Sequence, residues 1–217
     1  MEFVDIPTEQ TTAVTDAISA VMAIAAAVYL QRIGQADRWK AGLWASAFGL
    51  LALAAVLGAI AHGFKMSDAF RSVLWHPLYL SLGLLVALFI VAVAYDVRGQ
   101  AFARRILPIM VVIGVCFFGV TLIRPDSFLV FILYEAVAML FALVGYVWLA
   151  YRGRLKGAWL MAAGILVTIV AAGVQASKVF SFTFIWAFDH NGVYHLIQMV
   201  GIVLLVSGLR KALLFRV

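Results

Sequence analysis

Charge is scarce in this sequence, and so is cysteine. Charged residues make up 12% of the chain, against roughly 25% in soluble domains, whereas 66% of residues are hydrophobic. The single cysteine, Cys116, stands in an apolar run, which excludes an intramolecular disulfide. The sequence contains no P-loop, no Gly-rich dinucleotide fingerprint, no HExxH or paired-cysteine motif and no tandem repeat. These absences argue against a soluble domain and favour an integral membrane protein.

Long apolar runs take the place of the missing charge. Seven stretches of about 20 residues are each long enough to cross a hydrocarbon core of ~30 Å as a helix. The predicted spans are 11–32, 41–63, 74–95, 103–123, 128–151, 157–178 and 190–213. The breakers Gly34, Gly99, Pro125 and Gly153 fall between them. We therefore expect an all-α protein with one seven-helix transmembrane domain over residues 1–217, lying in a bacterial inner membrane or an equivalent bilayer.

The basic residues predict the orientation of this bundle. If the N-terminus is outside, twelve of the sixteen Lys and Arg residues fall in or next to inner segments, at 32–40, 98–105, 152–156 and 210–216. The positive-inside rule then places the N-terminus outside and the C-terminus inside. The net charge of +6 is explained by this topology, so no nucleic-acid partner is expected. The first ten residues carry acidic residues and no Lys or Arg, unlike a secretory signal peptide, so the first helix is expected to be retained.

Polar residues gather at one end of the predicted spans. All four histidines lie at the outer end, whereas the inner halves hold no Asp, Glu, His or Asn, and Gln31 is their one Gln. The outer set comprises His62, His76, His190, His195, Asp16, Glu135, Gln175, Asn191 and Gln198. An ionisable side chain near the bilayer centre costs roughly 2.5–3.5 kcal/mol, so such residues face a bundle interior, pair or act in function. The sequence thus predicts one polar site facing the outer side.

Helical spacing supports this site in the first and last helices. Asp16 shares a polar stripe with Thr12 and Ser19, because residues three and four apart lie on one helix face. The third helix is predicted to begin at His76-Pro77, with proline in the first helical position. The aromatic segment 179–188 is predicted to lie in the membrane interface, with a wall or lid over the site as the alternative. A second polar stripe, at the start of the seventh helix, comprises Asn191, His195 and Gln198.

Several histidines and carboxylates at one depth on separate helices are typical of a metal site. Neutral imidazoles are the usual zinc ligands, and three protein ligands plus water form an open catalytic site. Zinc activates that water towards an amide or ester carbonyl, while a nearby carboxylate moves the proton. Zinc is therefore the predicted cofactor.

Two short motifs resemble the CREST superfamily, which includes alkaline ceramidases, progestin and adipoQ receptors and hemolysin III-like proteins. The first motif is residues 61–64 (AHGF), near the outer end of the second helix, and the other is residues 189–198 (DHNGVYHLIQ), at the start of the seventh. The resemblance implies a seven-helix core that holds zinc through one histidine from helix 2 and two from helix 7, and lipid amide hydrolysis in several members. It implies His62 and His195 as metal ligands. The family's helix 2 serine corresponds to Gly58, and its helix 3 aspartate has no counterpart within the predicted span.

The third ligand and the proton carrier depart from the family pattern. The first of the two helix 7 ligand positions carries Asn191, and His190 precedes it by one residue. We predict His190 as the third ligand, with Asn191, His76 or a carboxylate as alternatives. Asp16 or Glu135 is predicted to carry the proton. The side chains expected around the metal or substrate are Asn191, Gln198, Tyr194, Gln175 and His76.

These residues predict a zinc-dependent intramembrane hydrolase of a lipid amide or ester. The alternative is a lipid- or ligand-binding receptor or sensor of the same fold without turnover. A bis-histidine haem protein is a further alternative. Proton transport is less favoured because the inner halves offer few polar partners, and retinal binding because the one lysine of helix 7, Lys211, lies at its inner end. The expected partners are membrane lipids and a lipid-like substrate or ligand.

Overall fold

Seven long helices dominate the structure. A computed structural model describes residues 2–123 and 128–215; the predicted break at Pro125 lies outside the described residues. Every one of the seven helices is long and apolar enough to cross a membrane, so the predicted seven-span, all-α fold is confirmed at that level. The helices are α1 (Pro7–Ile33), α2 (Arg38–Gly63), α3 (Asp68–Arg98), α4 (Gln100–Ile123), α5 (Phe128–Tyr151), α6 (Ala158–Ser177) and α7 (His190–Leu214).

The start of α3 differs from the sequence prediction. The helix begins at Asp68, and His76 and Pro77 lie in its third turn. Ser67 caps it by accepting a hydrogen bond from the Phe70 backbone N–H, and an acidic residue in the first turn favours the helix dipole. Proline inside a membrane helix is tolerated because nearby groups satisfy the freed backbone. The predicted start at His76-Pro77 is therefore wrong by about two turns.

Six of the helices form a closed ring, and the remaining helix, α4, packs outside it. Around the ring, α1 packs against α2, α2 against α3, α3 against α5, α5 against α6, α6 against α7 and α7 against α1. Helix α4 packs chiefly against α3. We call the end where α1, α3, α5 and α7 begin the histidine end, and the opposite end the basic end.

Glycines permit the closest helix crossings. A Cβ atom built on Gly83 of α3 would lie 2.6 Å from the Gly114 carbonyl oxygen of α4. A Cβ on Gly164 of α6 would lie 2.9 Å from Leu205 Cγ and 3.0 Å from the Gly201 oxygen of α7. Small residues at such crossings let helix backbones approach, which is the usual basis of helix association in a membrane.

A buried polar cluster holds the basic end together. Lys40 Nζ of α2 lies 2.5 Å from Asp96 Oδ1 of α3, and both side chains are almost fully buried. Tyr146 of α5 donates a hydrogen bond of 2.9 Å to Asp96 Oδ2. Lys40 and Asp96 lay just outside the predicted spans, but both belong to helices, because α2 begins three residues earlier and α3 ends three residues later than predicted.

The aromatic segment between α6 and α7 forms a small hairpin of β1 (Phe182–Thr183) and β2 (Ala187–Phe188). Its tip carries exposed aromatic and aliphatic side chains. Thr11 Oγ1 of α1 donates a 2.6 Å hydrogen bond to the Ala187 carbonyl oxygen, which ties the hairpin to the histidine end.

Candidate functional site

The ring encloses a cavity at its histidine end, which we call the main cavity. Its volume of about 360 Å³ lies within the usual 300–1,000 Å³ of small-molecule sites. All six ring helices contribute to its wall, and α4 does not. Its apolar wall includes Leu51, Leu78, Leu82, Phe131 and Ile202. The polar side chains that line it are Asp16, Ser19, His62, Gln175, His190, Asn191, Tyr194, His195 and Gln198.

His62 is oriented by a carboxylate from α1. It lies in the last turn of α2, and its Nδ1 is 2.6 Å from Oε2 of Glu9 in the first turn of α1. Glu9 reaches this position because α1 begins at Pro7, where proline is favourable in a first helical turn. With Nδ1 engaged, Nε2 is the ring nitrogen left for a ligand.

His195 is oriented by a second carboxylate. Its Nδ1 lies 3.3 Å from Oδ1 of Asp16, with the His195 side chain 14% and the Asp16 side chain 6% exposed. Asp16 fits there because α2 has no side chain at the facing position. A Cβ built on Gly58 would lie 2.7 Å from Asp16 Oδ2. The carboxylate therefore occupies space that a serine at position 58 would need.

The start of α7 is fixed by Asp189. Its Oδ1 accepts hydrogen bonds from the backbone N–H groups of Asn191 and Gly192, each 3.0 Å long, so that His190 is the first residue of the helix. Asn191 Oδ1 in turn accepts a 3.3 Å hydrogen bond from Gln175 of α6. These contacts hold the helix start against its neighbours and leave His190 facing the same cavity as His195.

The histidines of the main cavity are suitable zinc ligands by residue type, but they do not lie close enough together to bind one ion. Histidines that bind a metal commonly donate their other ring N–H to a carboxylate, as the contacts of His62 with Glu9 and His195 with Asp16 allow. Within the described residues, however, no three His, Cys, Asp or Glu side chains lie close enough together to hold one ion. Metal binding by His62, His190 and His195 therefore requires movement of at least one of them.

Two of the predicted site residues lie outside the main cavity. His76 points to α4, where its ring contacts Phe118 with centroids 6.4 Å apart. Glu135 is buried and lines a smaller neighbouring cavity, whose wall also includes Tyr194. The structure thus separates these two from the cluster around His62 and His195.

Glu9 is the site residue that sequence reasoning missed. The first span was predicted to begin at residue 11, which left Glu9 outside the helix. Glu9, Thr12, Asp16 and Ser19 recur at three- and four-residue spacing on α1 and so share one face. Pro7 as a first-turn proline was the signal for the longer helix.

Seven membrane-length helices, six of them around a cavity at one end, are the fold of a multi-pass membrane protein. The chain belongs to DUF6962, a family of unknown function, whose model matches residues 11–214. No curated protein and no solved structure matches the chain. The match runs through all seven helices and includes Asp16, His62 and His195, while Glu9 precedes it.

Proposed function

We propose that the protein is a metal-dependent intramembrane hydrolase of a lipid amide or ester, with zinc held by His62, His190 and His195. The observation that carries the proposal is the pair His62 on α2 and His195 on α7. Each contacts a carboxylate through Nδ1, and both line the main cavity. The arrangement also agrees with the CREST resemblance, and we propose a distant relationship to that superfamily.

The wall of the main cavity supports a lipid as the substrate. Apolar side chains surround a small number of polar groups, as in sites that bury an apolar ligand and orient it through few hydrogen bonds. Two polar atoms of the wall, Ser19 Oγ and Gln198 Oε1, are buried without a hydrogen-bond partner in the described part of the chain. The carbonyl oxygen of an amide or an ester can accept a hydrogen bond from Ser19 Oγ, and the N–H of an amide can donate one to Gln198 Oε1.

Glu9 has one role in this proposal and Asp16 has two. The carboxylates of Glu9 and Asp16 orient the imidazoles and keep them as ligands. Zinc bound there would polarise the substrate carbonyl and activate a water molecule. Asp16, which also contacts His195, takes up the proton and returns it to the leaving group. Glu135 lines the neighbouring cavity, whereas Asp16 lines the main cavity together with the histidine pair, so Asp16 is the proposed proton carrier.

The zinc content of the purified protein tests the metal site. We expect about one zinc per chain in the wild type, with loss in His62→Ala and His195→Ala. His76→Ala is the matched control, because His76 lies at the same end but outside the main cavity, and it should keep its metal. Elemental analysis that finds no zinc in the wild type, or equal zinc in all variants, would end the metal proposal. An absorption spectrum of the same preparation detects haem, if haem is the actual ligand.

A second candidate function is a lipid-binding receptor or sensor without turnover. Two observations favour it. The histidines do not lie close enough together to bind one ion, and Gly58 stands where the CREST superfamily has a serine. Incubation with ceramides and other acyl amides separates the two candidates. Turnover that depends on His195 supports the hydrolase, whereas binding without turnover supports the receptor.

We further propose that the histidine end faces the outer side of a bacterial inner membrane or an equivalent bilayer. The excess of Lys and Arg at the basic end supports this orientation by the positive-inside rule. A lipid would then reach the main cavity from the outer leaflet.

A further inference from the structure

A second cavity adjoins the main cavity on its deeper side, and we call it the deep chamber. Six side chains, among them Phe131, Tyr194 and Gln198, line both cavities. The deep chamber continues along α2 from Leu51 to Trp44, which is a descent of about 10 Å at 1.5 Å per residue. It therefore extends the main cavity towards the basic end.

Unpaired polar groups interrupt the apolar wall of the deep chamber. Trp44 is 1% exposed, and its Nε1–H has no hydrogen-bond acceptor within residues 2–123 and 128–215. Gln198 Oε1 is likewise buried without a donor in that part of the chain. Glu135 is buried in the same wall, and no Lys, Arg or His is among the described residues that line the chamber.

Such groups are costly unless something bonds to them. A buried donor or acceptor left without a partner lowers the stability of the protein by roughly 1–3 kcal/mol. A buried carboxyl group with no cation beside it likewise gains from a ligand group that hydrogen-bonds to its oxygens. Trp44, Glu135 and Gln198 together offer donors and acceptors to one neutral polar group.

The size of the deep chamber limits what that group belongs to. Its volume of about 60 Å³ is roughly that of four to six water positions. A lipid head group or a ring system is too large, whereas a short stretch of hydrocarbon chain with one polar substituent fits. The apolar side chains Phe48, Val86 and Met139 line the same space and suit such a chain.

We propose that the deep chamber binds the hydrocarbon chain of the lipid held in the main cavity, and that Glu135, Trp44 and Gln198 recognise a hydroxyl group on that chain. The proposal rests on the proposed function, because it requires a lipid in the main cavity. It assigns Glu135 to the choice of lipid and leaves proton transfer to Asp16.

Binding of matched lipids to the full-length protein in nanodiscs tests the proposal. The panel consists of C18 N-acyl amides with one head group, either unsubstituted or with a single hydroxyl placed at successive positions along the chain. We expect the wild type to bind one of the hydroxylated lipids about five- to tenfold more tightly than the unsubstituted lipid, which is the effect of one net hydrogen bond.

Two variants of Glu135 separate recognition from folding. Glu135→Leu should bind the unsubstituted lipid as well as the wild type does and should lose the preference for the hydroxyl. Glu135→Gln keeps a donor and an acceptor and should retain part of the preference. His195→Ala, in the main cavity, should weaken the binding of both lipids equally and leave the ratio of their affinities unchanged.

The outcomes distinguish this proposal from the proposed function. If the wild type binds all members of the panel equally, the recognition of a chain substituent is overturned while lipid binding stands. The same holds if Glu135→Leu keeps the full preference. If no member of the panel binds, the proposed lipid ligand is itself refuted, and the deep chamber proposal with it.

Discussion

Breaking the buried ion pair at the basic end should destabilise the protein strongly, and restoring charge balance should reverse the loss. The pair joins Lys40 and Asp96 at 2.5 Å, with side chains 3% and 2% exposed. Removing one member of a buried pair typically costs about 3–5 kcal/mol, because the remaining charge is left without compensation. Replacing both members with apolar residues is often neutral or stabilising.

The structure ranks the two single variants. Lys40→Met leaves Asp96 with its hydrogen bond from Tyr146, so its cost should fall near ~3 kcal/mol. Asp96→Leu leaves the Lys40 ammonium without a carboxylate and should cost nearer ~5 kcal/mol. Lys40→Met/Asp96→Leu should lie within ~1 kcal/mol of the wild type, which gives a large coupling energy in the double-mutant cycle.

Reversible unfolding in mixed detergent micelles, followed by tryptophan fluorescence and circular dichroism, measures these free energies. Lys156→Met is the matched control, since Lys156 is an exposed lysine at the same end, and its change should stay within ~0.5 kcal/mol. The reasoning is refuted if both single variants unfold within ~1 kcal/mol of the wild type. It is also refuted if the double variant is as unstable as the worse single one.

Three other predictions follow from the packing, the site and the orientation. Gly164→Ala should destabilise the α6–α7 crossing by about 1–3 kcal/mol, as judged by thermal unfolding. Gly173→Ala, on the same helix with nothing within 4 Å of the new Cβ, should be neutral or slightly stabilising. Equal changes in stability for the two variants would contradict the close α6–α7 crossing at Gly164. Glu9→Gln should weaken zinc binding about 10- to 100-fold in a competition titration, and an unchanged affinity would remove this carboxylate from the site. In a chain without its native cysteine, Ser181→Cys should react with an impermeant maleimide in intact cells and Gln35→Cys only after lysis; the reverse pattern would invert the proposed topology.

Depth along each span was the part of the site that the sequence could predict. Counting residues from the span ends placed Asp16, His62 and His195 at one level, and the structure brings these three to one cavity. Depth does not give the direction in which a side chain faces round its helix. His76 and Glu135 share that level, yet one faces α4 and the other lines the deep chamber.

Helix ends were the part that the sequence predicted least well. Polar residues in a terminal turn lower the local hydropathy, so a search for apolar runs stops before the helix does. That shortening hid Glu9 at the start of α1, and it hid Lys40 and Asp96 at the ends of α2 and α3. Glu9 and Asp96, two carboxylates with structural partners, were thus left outside the predicted spans. Capping and first-turn signals, such as Pro7 and Ser67, locate these ends better than hydropathy does.

The close approach of Asp16 to Gly58 also links two positions in evolution. A carboxylate on α1 and a side chain at position 58 of α2 compete for the same space, since the built Cβ lies 2.7 Å from Asp16 Oδ2. A serine at position 58 therefore requires either a smaller residue at position 16 or an Asp16 carboxylate that has turned away from position 58. Across the family these two positions should vary as a pair, so that the hydroxyl and the carboxylate appear as alternative occupants of one place beside the histidines.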